Sequence, residues 1–328
     1  MGDAVDSTCM RKAALLYNQN SGGGRKDRRP EIHAAIAHLL AAGVEASLTV
    51  TTSSDDAGVQ ARKAVDCGCD TVIACGGDGT VNDVLQGIAG SQAALGVLPL
   101  GTANALAHDL GLPMQPAHAA RALLEAEPRR IALGHLTFRG MEGEQRTRYF
   151  TVAVGVGVDA HLFYKLNSGT KQKLGMAAYY SKAWQLWFTH RMQAFTVDLG
   201  TNAPQGKRLA TEMLAVRIRN FGGVLRELAP GASLHRDDMR VVVCQTSSRL
   251  AYLSYVTRGL LGAAWSVPGV ELVHSETVRC DYAGEARNGS RPSRERVYVE
   301  ADGELLGMLP AEIRMVPDAL TLLVPRHP

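Results

Sequence analysis

The feature of the sequence that most constrains the fold is a short apolar run ending in a glycine-rich turn. Residues 71–75 (TVIAC) form an unbroken run with a β-branched start, which is typical of a strand buried on both faces of a parallel sheet. Gly76, Gly77, Asp78 and Gly79 follow directly, and residues 80–88 have a helical pattern. Strand, glycine turn and helix in this order present backbone N–H groups to an anion. The segment therefore predicts an α/β layer with an anion site.

The first 130 residues alternate strand-like and helix-like segments. Strand patterns occur at 13–17, 45–50, 71–75 and 95–98, and helical patterns at 30–42, 55–67, 80–88 and 102–110. Proline in the first turn and glycine after the last turn support the helix at 30–42. This order predicts an N-terminal α/β domain with a mainly parallel sheet covered on both faces.

After about residue 130 the patterns change to short strands separated by turn residues. Strand patterns occur at 131–138, 149–156, 195–199, 213–219, 239–245, 297–301 and 313–316, and helical patterns at 171–191 and 252–261. Many short strands with few helices predict a C-terminal β-sandwich of antiparallel sheets. The fold class expected for the whole chain is therefore α/β plus β.

Composition excludes several classes of protein. The formal net charge is only +3, so bulk charge makes no case for a nucleic-acid partner. The six cysteines show no paired zinc-site spacing, and the N-terminal residues lack a secretory signal or a myristoylation motif. Because there is no apolar run of about eighteen residues, no transmembrane segment is expected. We expect a cytoplasmic protein that meets any membrane from its aqueous side.

Two further turns at predicted strand ends resemble the first. Residues 99–104 (PLGTAN) again lead from strand to helix, and the polar residues 18–25 follow the first strand. Each turn alone is also typical of an ordinary tight turn with a capping side chain. Three such turns at one edge of a parallel sheet predict a nucleotide site, because ligands bind at the carboxyl ends of strands. Asp78 would repel a bare phosphate, so a Mg²⁺-nucleotide is favoured.

Other nucleotide and catalytic motifs are absent or incomplete. The sequence has no Walker-type P-loop and no H-E-x-x-H, G-x-S-x-G or H-R-D motif. Residues 155–160 match G-x-G-x-x-A, but no acidic residue occurs between Asp159 and Asp198, where a dinucleotide site needs one. We interpret residues 155–160 as a close-packed β turn.

Four motifs in the same chain resemble one enzyme family. They are N-x-x-S-G at 18–22, G-G-D-G-T-x-N at 76–82, P-x-G-T-x-N at 99–104 and D-G-E at 302–304. Together they resemble the diacylglycerol kinase catalytic family, which includes bacterial lipid kinases, sphingosine kinases and ceramide kinases. The resemblance implies an ATP-dependent lipid kinase that phosphorylates a hydroxyl of a membrane lipid, such as a diacylglycerol-like or sphingoid-like lipid.

The resemblance also implies a domain organisation. A nucleotide-binding domain of the family's catalytic type is expected at 10–130, with a C-terminal strand at 319–328 returning to it. A lipid-substrate β-sandwich is expected at 131–318, with the active site in the interdomain cleft.

Residue roles follow from the same resemblance. It assigns nucleotide binding to Asn18, Ser21, Gly22, Thr51, Gly76, Gly77, Asp78, Gly79, Thr80, Asn82, Thr102 and Glu304. Asp302 matches the proposed general base, and Asp78 would act in catalysis by holding Mg²⁺ through the nucleotide. Two positions depart from the family: Ala105 stands where an aspartate is frequent, and the turn 235–240, which holds a structural Mg²⁺ in Gram-positive members, ends in basic Arg240. We do not expect that structural metal.

Residues 160–197 supply independent support for a lipid partner. The stretch has no acidic residue; its basic residues include Lys165, Lys171, Lys173, Lys182 and Arg191, and Tyr180, Trp184, Trp187 and Phe188 share a helical face. Such a helix can lie on an anionic membrane surface, which predicts peripheral association with the inner face of the membrane. An aromatic face packed on the sandwich explains the same pattern.

Two rival functions remain open from the sequence. An NAD kinase-like phosphotransferase shares the G-G-D-G-T motif, and Ala105 allows a catalytically weak lipid- or nucleotide-binding protein. The sequence leaves open which lipid is the acceptor, because an acyl pocket needs only generic apolar lining. It also leaves the oligomeric state open.

Overall fold

The computed structural model describes residues 9–21, 27–51, 56–157, 192–200, 206–222, 228–261, 266–283 and 296–326. The chain divides into two units. The first comprises Met1–Leu133, Asn220–Gly223 and Val316–Pro328, and the second comprises Gly134–Arg219 and Val224–Met315. The sequence predicted boundaries at 130/131 and 318/319 and did not assign residues 220–223 to the first domain.

The first unit is built on a parallel sheet, which confirms the α/β prediction. Its strands are β1 (Lys12–Asn18), β2 (Glu45–Thr51), β3 (Thr71–Gly76), β4 (Ala94–Pro99) and the end of β15 (Glu304–Val324). They lie in the order β15–β4–β3–β1–β2, and every neighbouring pair is parallel. Strands β3 and β4 are buried along their whole length, as their unbroken apolar patterns indicate.

Five helices cover this sheet. They are α1 (Arg29–Ala41), α2 (Asp56–Asp66), α3 (Asp78–Ile88), α4 (Ala105–Asp109) and α5 (Pro116–Leu124). Helix α1 packs on α5, and α2 packs on α3. Because β2 and β3 lie on opposite sides of β1 and such crossovers are right-handed, α1 and α2 cover opposite faces.

Helix α3, which begins at the predicted phosphate turn, is held close to α2 by two glycines. A Cβ atom on Gly58 would lie 2.7 Å from the carbonyl oxygen of Asp83, and one on Gly87 would overlap the carbonyl oxygen of Gly58. The absence of both side chains lets the helix backbones touch. This contact fixes the position of α3 on the sheet.

The second unit is an antiparallel β-sandwich, as predicted. Its described strands are β5 (Glu127–Arg139), β6 (Gln145–Phe150), β7 (Ala153–Gly157), β8 (Phe195–Asp198), β9 (Arg208–Ala210), β10 (Glu212–Val216), β11 (Met239–Cys244), β12 (Val270–Ser275), β13 (Thr277–Tyr282), β14 (Tyr298–Ala301) and the first part of β15. Helix α6 (Arg249–Leu261) also belongs to this unit. One run of strands is β12–β11–β10–β7–β14–β15, and the other is β9–β8–β13–β15–β5–β6. Strand β15 belongs to both runs, and their apolar side chains share one buried core.

Several sequence predictions for the second unit were wrong in detail. The single strand predicted at 149–156 is two strands, β6 and β7, which end and begin around Thr151 and Val152. Residues 155–157 are part of β7 rather than a turn. The strand predicted at 313–316 is part of β15, while β9, β12 and β13 were missed. In the first unit, the strand predicted at 319–328 is the end of β15, which stops at Val324, and α5 was missed. The helix predicted at 171–191 lies outside the described residues.

Within the described residues, we find no helix that is both long enough and apolar enough to cross a membrane.

Candidate functional site

The order in which strands are added to the first sheet reverses next to β1, although all its strands run parallel. Strand β1 has β2 on one side and β3 on the other, so their carboxyl ends flank a topological switch point. Asn18, the last residue of β1, donates a hydrogen bond from Nδ2 to the Thr80 hydroxyl, 3.1 Å away, on the helix that follows β3. Open α/β sheets bind ligands outside the carboxyl ends of strands at such a point. The sequence-predicted residues Asn18 and Thr80 therefore meet where the fold favours a ligand.

The first glycine turn (76–80) and the second glycine turn (99–104) contact each other through their backbones. The Leu100 N–H donates to the Gly76 carbonyl at 2.8 Å. A Cβ atom on Gly101 would lie 2.5 Å from the Gly77 Cα, which is closer than real Cβ contacts come. Glycine is therefore required at Gly101, since any side chain would push the turns apart. The sequence prediction that these turns open on one edge agrees with this contact.

Asp78 joins the two turns. Its carboxylate accepts hydrogen bonds from the backbone N–H groups of Asn104 at 2.9 Å and Ala105 at 2.7 Å. Asn104 has a left-handed φ of 49° and closes the second turn, because its side-chain oxygen accepts from the Gly101 N–H and its amide donates to the Gly101 carbonyl, each at 2.9 Å. Asp78 thus holds the start of α4 against the first turn.

The start of α3 keeps its anion-binding capacity. Gly77 is the N-cap residue, and no side chain caps this helix end among the described residues. The N–H groups of the first helical turn have no acceptor inside the helix, and the helix dipole favours negative charge there. Because the Asp78 carboxylate is directed to the second turn, these N–H groups remain suited to a phosphate.

The other sequence-predicted nucleotide residues differ in exposure. Thr51 is buried at the end of β2 and donates to the Tyr17 carbonyl at 3.3 Å. Asn82 is only 1% exposed, and its side-chain oxygen accepts from Gln86 at 2.8 Å. Ser21 is partly exposed and Thr102 exposed; Gly79 lies in the first turn of α3, and Gly22 lies outside the described residues. Thr51 and Asn82 are therefore buried side chains that stabilise the strand and helix beside the turns, whereas Thr102 is exposed.

Across the described ranges, no group of three or more His, Cys, Asp or Glu side chains could hold a metal ion. Both carboxylate oxygens of Asp78 already accept backbone hydrogen bonds. The Mg²⁺ assigned to Asp78 through the nucleotide stays a prediction.

Asp302 lies in the second unit, in the two-residue turn between β14 and β15. It has a φ of 48° and is followed by Gly303 with a φ of 81°, which is the geometry of a tight hairpin turn. Its buried carboxylate accepts hydrogen bonds from three backbone N–H groups, those of Thr151 at 3.0 Å, Val152 at 2.9 Å and Ala153 at 3.0 Å. These three hydrogen bonds fix the orientation of the carboxylate.

Glu304, the other acidic residue of the D-G-E motif, forms an ion pair with Arg148. The distance from Arg148 Nη2 to the Glu304 carboxylate is 2.9 Å, and the Glu304 side chain is about two-fifths exposed, at 40%. The structure therefore places Glu304 beside β6 of the sandwich. Its predicted contact with the nucleotide stays a prediction.

Two contacts in the first unit were not predicted from the sequence. Arg28 donates to the Leu100 carbonyl, in the second glycine turn, at 3.0 Å and pairs with Glu31 at 2.7 Å. The i, i+3 spacing of Arg28 and Glu31 was a usable signal. Asn220 binds the Asp109 carboxylate through its backbone N–H at 2.9 Å, and nothing in the sequence connects these two segments.

Comparison with known proteins finds two family matches, one in each half of the chain. Residues 12–136 match the diacylglycerol kinase catalytic domain, and residues 152–324 match the YegS C-terminal NAD kinase β-sandwich-like domain. The chain is 29% identical over 329 residues to a diacylglycerol kinase of Mycobacterium tuberculosis, covering 96% of both chains. It is 27% identical over 306 residues to one of Bacillus subtilis, covering 92% of this chain and 93% of the relative.

A solved structure shares the fold. The crystal structure of a diacylglycerol kinase from Bacillus anthracis superposes with a TM-score of 0.69 at 17% identity, covering 97% of this chain and 98% of that chain.

A third sequence relative matches part of the chain. A probable YegS-like lipid kinase of Chromohalobacter salexigens is 36% identical over 160 residues, covering 48% of this chain and 49% of the relative.

The first unit has a parallel sheet with glycine turns at its switch point, and the second is an antiparallel sandwich. Together with these matches, this architecture defines the class of two-domain lipid kinases. The chain belongs to the diacylglycerol kinase catalytic family.

Proposed function

We propose that this protein transfers the γ-phosphoryl group of ATP to a hydroxyl group of a membrane lipid. The lipid-kinase family is shown by the matches, and the donor and the acceptor are the proposed parts. The names of the relatives support a diacylglycerol-like acceptor, because the M. tuberculosis and B. subtilis proteins are diacylglycerol kinases. A sphingoid-like acceptor remains an alternative.

One observation carries the proposal. The two glycine turns touch through Gly77 and Gly101 at the switch point of a parallel sheet, beside the uncapped start of α3. Backbone N–H groups in this arrangement fit the phosphates of a nucleotide, since they supply donors without bulky side chains. Phosphoryl transfer needs mainly such positioning and charge stabilisation from the protein.

In the proposed reaction, Asp78 positions the second glycine turn, and Asp302 accepts the proton of the acceptor hydroxyl. Asp78 holds the backbone of Asn104 and Ala105, so it sets the position of the second turn against the first. Asp302 would orient the acceptor hydroxyl and take its proton late, when the oxygen is already bonding to phosphorus. The three N–H groups that bind Asp302 fix the orientation of its carboxylate for this step.

Separated products from labelled ATP test the donor and the acceptor together. The purified chain is incubated with γ-labelled ATP, Mg²⁺ and vesicles containing diacylglycerol, a sphingoid base, phosphatidylglycerol or a polyprenol, and with NAD in a parallel reaction. We expect a labelled lipid and unlabelled NAD. Label in NAD alone would favour the NAD kinase-like rival, and no label in any acceptor would favour a binding protein.

Peripheral contact with the membrane surface is the second part of the proposal, because the acceptor lies in a bilayer. The basic and aromatic residues of 160–197 support it, although most of that stretch lies outside the described residues. We expect Lys171→Glu with Lys173→Glu to weaken binding to anionic vesicles by about 30-fold or more, since each basic residue near such a surface contributes on the order of 1 kcal/mol and two are lost. Co-sedimentation measures this, and unchanged binding rejects the role of these lysines.

A further inference from the structure

The second unit holds a group of arginines that the proposed kinase reaction does not use. The arginine cluster consists of Arg217, Arg236, Arg240 and Arg258. Arg240 lies on β11, directly opposite His274 of β12 and Val216 of β10. Its neighbours in sequence, Met239 and Val241, point into the sandwich core, so the Arg240 side chain lies on the opposite face of the sheet.

Two members of the arginine cluster brace the loop before β11. Arg217 is fully buried, and its guanidinium donates to the carbonyl oxygens of Arg236 at 2.8 Å, Asp238 at 3.1 Å and Leu234 at 3.3 Å. Arg236 pairs with the Asp238 carboxylate, with its Nε 2.6 Å from Asp238 Oδ1. Both side chains therefore stabilise the conformation of this loop.

The other two members carry donors with no acceptor among the described residues. Arg258 on α6 is 6% exposed, and its Nε and Nη2 atoms are buried without a hydrogen-bond partner there. The Nε atom of Arg240 is also buried without a hydrogen-bond partner among the described residues. The Arg258 guanidinium stacks 5.0 Å from the centre of the Tyr255 ring, which satisfies its face but not its N–H groups. Buried charged donors without acceptors are strongly unfavourable.

The nearby carboxylates do not supply the missing acceptors. Asp238 is already bound by Arg236 and lies 3.2 Å from Nδ1 of His274. Asp237 is exposed. Burial lowers the pKa of Arg240, and Arg236 and Arg258 lower it further against the opposite effect of Asp238.

The backbone leaves room beside the Arg240 donor at Gly231. This glycine has a φ of 92°, and a Cβ atom on it would lie 3.4 Å from His274 Nε2 and 3.8 Å from Arg240 Nε. A side chain at this position would fill the space against both nitrogens. The Tyr255 hydroxyl donates to the Leu228 carbonyl, which ties α6 to the loop that contains Gly231.

We propose that Arg240 and Arg258 form a binding site for a phosphate group, with His274 and Gly231 beside it. Guanidinium groups bind phosphate through paired N–H donors, and burial strengthens such bonds. A free phosphate and the headgroup of an anionic phospholipid present the same chemistry. The site is independent of the glycine turns and of the proposed kinase reaction.

Arginine side-chain NMR tests the site directly. The full chain is labelled with ¹⁵N-arginine, and the Nε–H signals of Arg240 and Arg258 are assigned with Arg240→Lys and Arg258→Lys. We expect both signals to shift saturably on addition of inorganic phosphate and to stay in place with chloride at equal ionic strength. Unchanged signals for both residues in phosphate would overturn the proposal.

Thermal unfolding distinguishes a ligand site from a purely structural role. A ligand that binds only the folded state raises the melting temperature as its concentration rises. We expect Arg258→Met and Arg240→Met to reduce this rise relative to wild type, while Arg249→Met, an exposed arginine on the same helix, keeps it. In phosphate-free buffer Arg258→Met should be at least as stable as wild type, because it removes an unpaired buried charge. An equal loss of stability with and without phosphate would contradict a ligand role.

Vesicles separate the two sources of phosphate. Co-sedimentation is measured with vesicles of a neutral phospholipid and with vesicles that also contain an anionic phospholipid. Weaker retention of Arg240→Met and Arg258→Met, but not of Arg249→Met, on the anionic vesicles identifies the lipid headgroup as the ligand. Unchanged retention together with the phosphate-dependent NMR shift identifies a soluble phosphate.

Discussion

Asp78 in the first unit and Asp302 in the second were both assigned to catalysis by resemblance, and both bind backbone N–H groups. Asp78 is partly exposed at the start of a helix and binds two, those of Asn104 and Ala105. Asp302 is 9% exposed in a left-handed turn position and binds three, those of Thr151, Val152 and Ala153.

The difference lies in which segments each carboxylate connects. Asp78 connects the two glycine turns, so its loss should mainly weaken nucleotide binding. Asp302 connects the β14–β15 hairpin to the link between β6 and β7, so its loss should affect the sandwich and the proposed proton transfer. A motif aspartate can therefore be an anchor for the backbone as well as a reactive group, and mutational effects on stability and on activity must be measured separately.

The largest expected effect is the loss of turnover in Asp302→Asn. Because this change removes the proposed proton acceptor, we expect the rate to fall by about 10³-fold, within the usual range for acid–base catalysis, while ATP affinity is unchanged. One amide N–H must then face the Thr151 N–H, so stability should also fall by about 1–3 kcal/mol. Single-turnover kinetics, ATP titration and urea unfolding measure the three quantities.

Asp318→Asn is the matched control for Asp302→Asn. Asp318 also has a left-handed φ, of 50°, but is exposed, and we expect wild-type turnover from this variant. Retained turnover in Asp302→Asn would remove Asp302 from the reaction and leave it with the backbone role alone.

Asp78→Asn should separate the two aspartates by their effect on ATP. The amide cannot accept from both Asn104 and Ala105, so the second turn loses one of its two anchors. We expect the ATP dissociation constant to rise about tenfold, which is about 1.4 kcal/mol. Calorimetric titration measures it, with Asp66→Asn at the exposed end of α2 as the control. Unchanged ATP affinity would disconnect the Asp78 bonds from nucleotide binding.

Thr80→Val tests the hydrogen bond that crosses the switch point. Asn18 Nδ2 would lose its acceptor, at a cost of about 1 kcal/mol. We expect a lower stability and an ATP affinity that falls less than in Asp78→Asn. Thr80→Ser keeps the hydroxyl and should behave like wild type in the ATP titration. Equal ATP affinities in both variants would show that the bond to Asn18 does not shape the site.

The smallest expected effect is a pH dependence of stability that arises from His135 in the second unit, which also holds Asp302. Burial lowers the pKa of His135 from its ordinary value of 6.5, and Arg314 lowers it further. The folded protein thus binds this proton more weakly than the unfolded chain. Stability from neutral His135 is complete above the unfolded-state pKa, and falls as pH drops through that value towards the lower folded-state pKa.

Thermal melts between neutral and mildly acidic pH test this dependence. His135 stacks edge-on against Tyr149 with ring centres 5.0 Å apart, so His135→Gln removes the titrating group at some cost in packing. We expect its melting temperature to fall less on acidification than that of wild type. His118→Gln, at an exposed position on α5, should keep the wild-type slope. Equal slopes in all three proteins would exclude His135 as the source.

The elements of the first unit followed from sequence patterns more closely than those of the second. Strand β3 was predicted at 71–75 and spans Thr71–Gly76, because a strand buried on both faces is an unbroken apolar run. Strands β12 and β13 were missed, since they are half-buried and their polar residues hide a short alternation. The helix predicted at 102–110 begins only at Ala105, because Asn104 adopts a left-handed conformation that its bonds to Gly101 support.

The sequence by itself determined the glycine turns, the parallel and antiparallel units and the family, because these depend on residue type and local periodicity. Only the tertiary structure decided which groups each carboxylate binds and which arginines are left with unused donors. The partners of Asp78 lie 26 and 27 residues away, and those of Asp302 lie 149 to 151 residues away. Periodicity reports burial and backbone conformation, whereas a hydrogen-bond partner at that separation is fixed by how distant strands and turns pack.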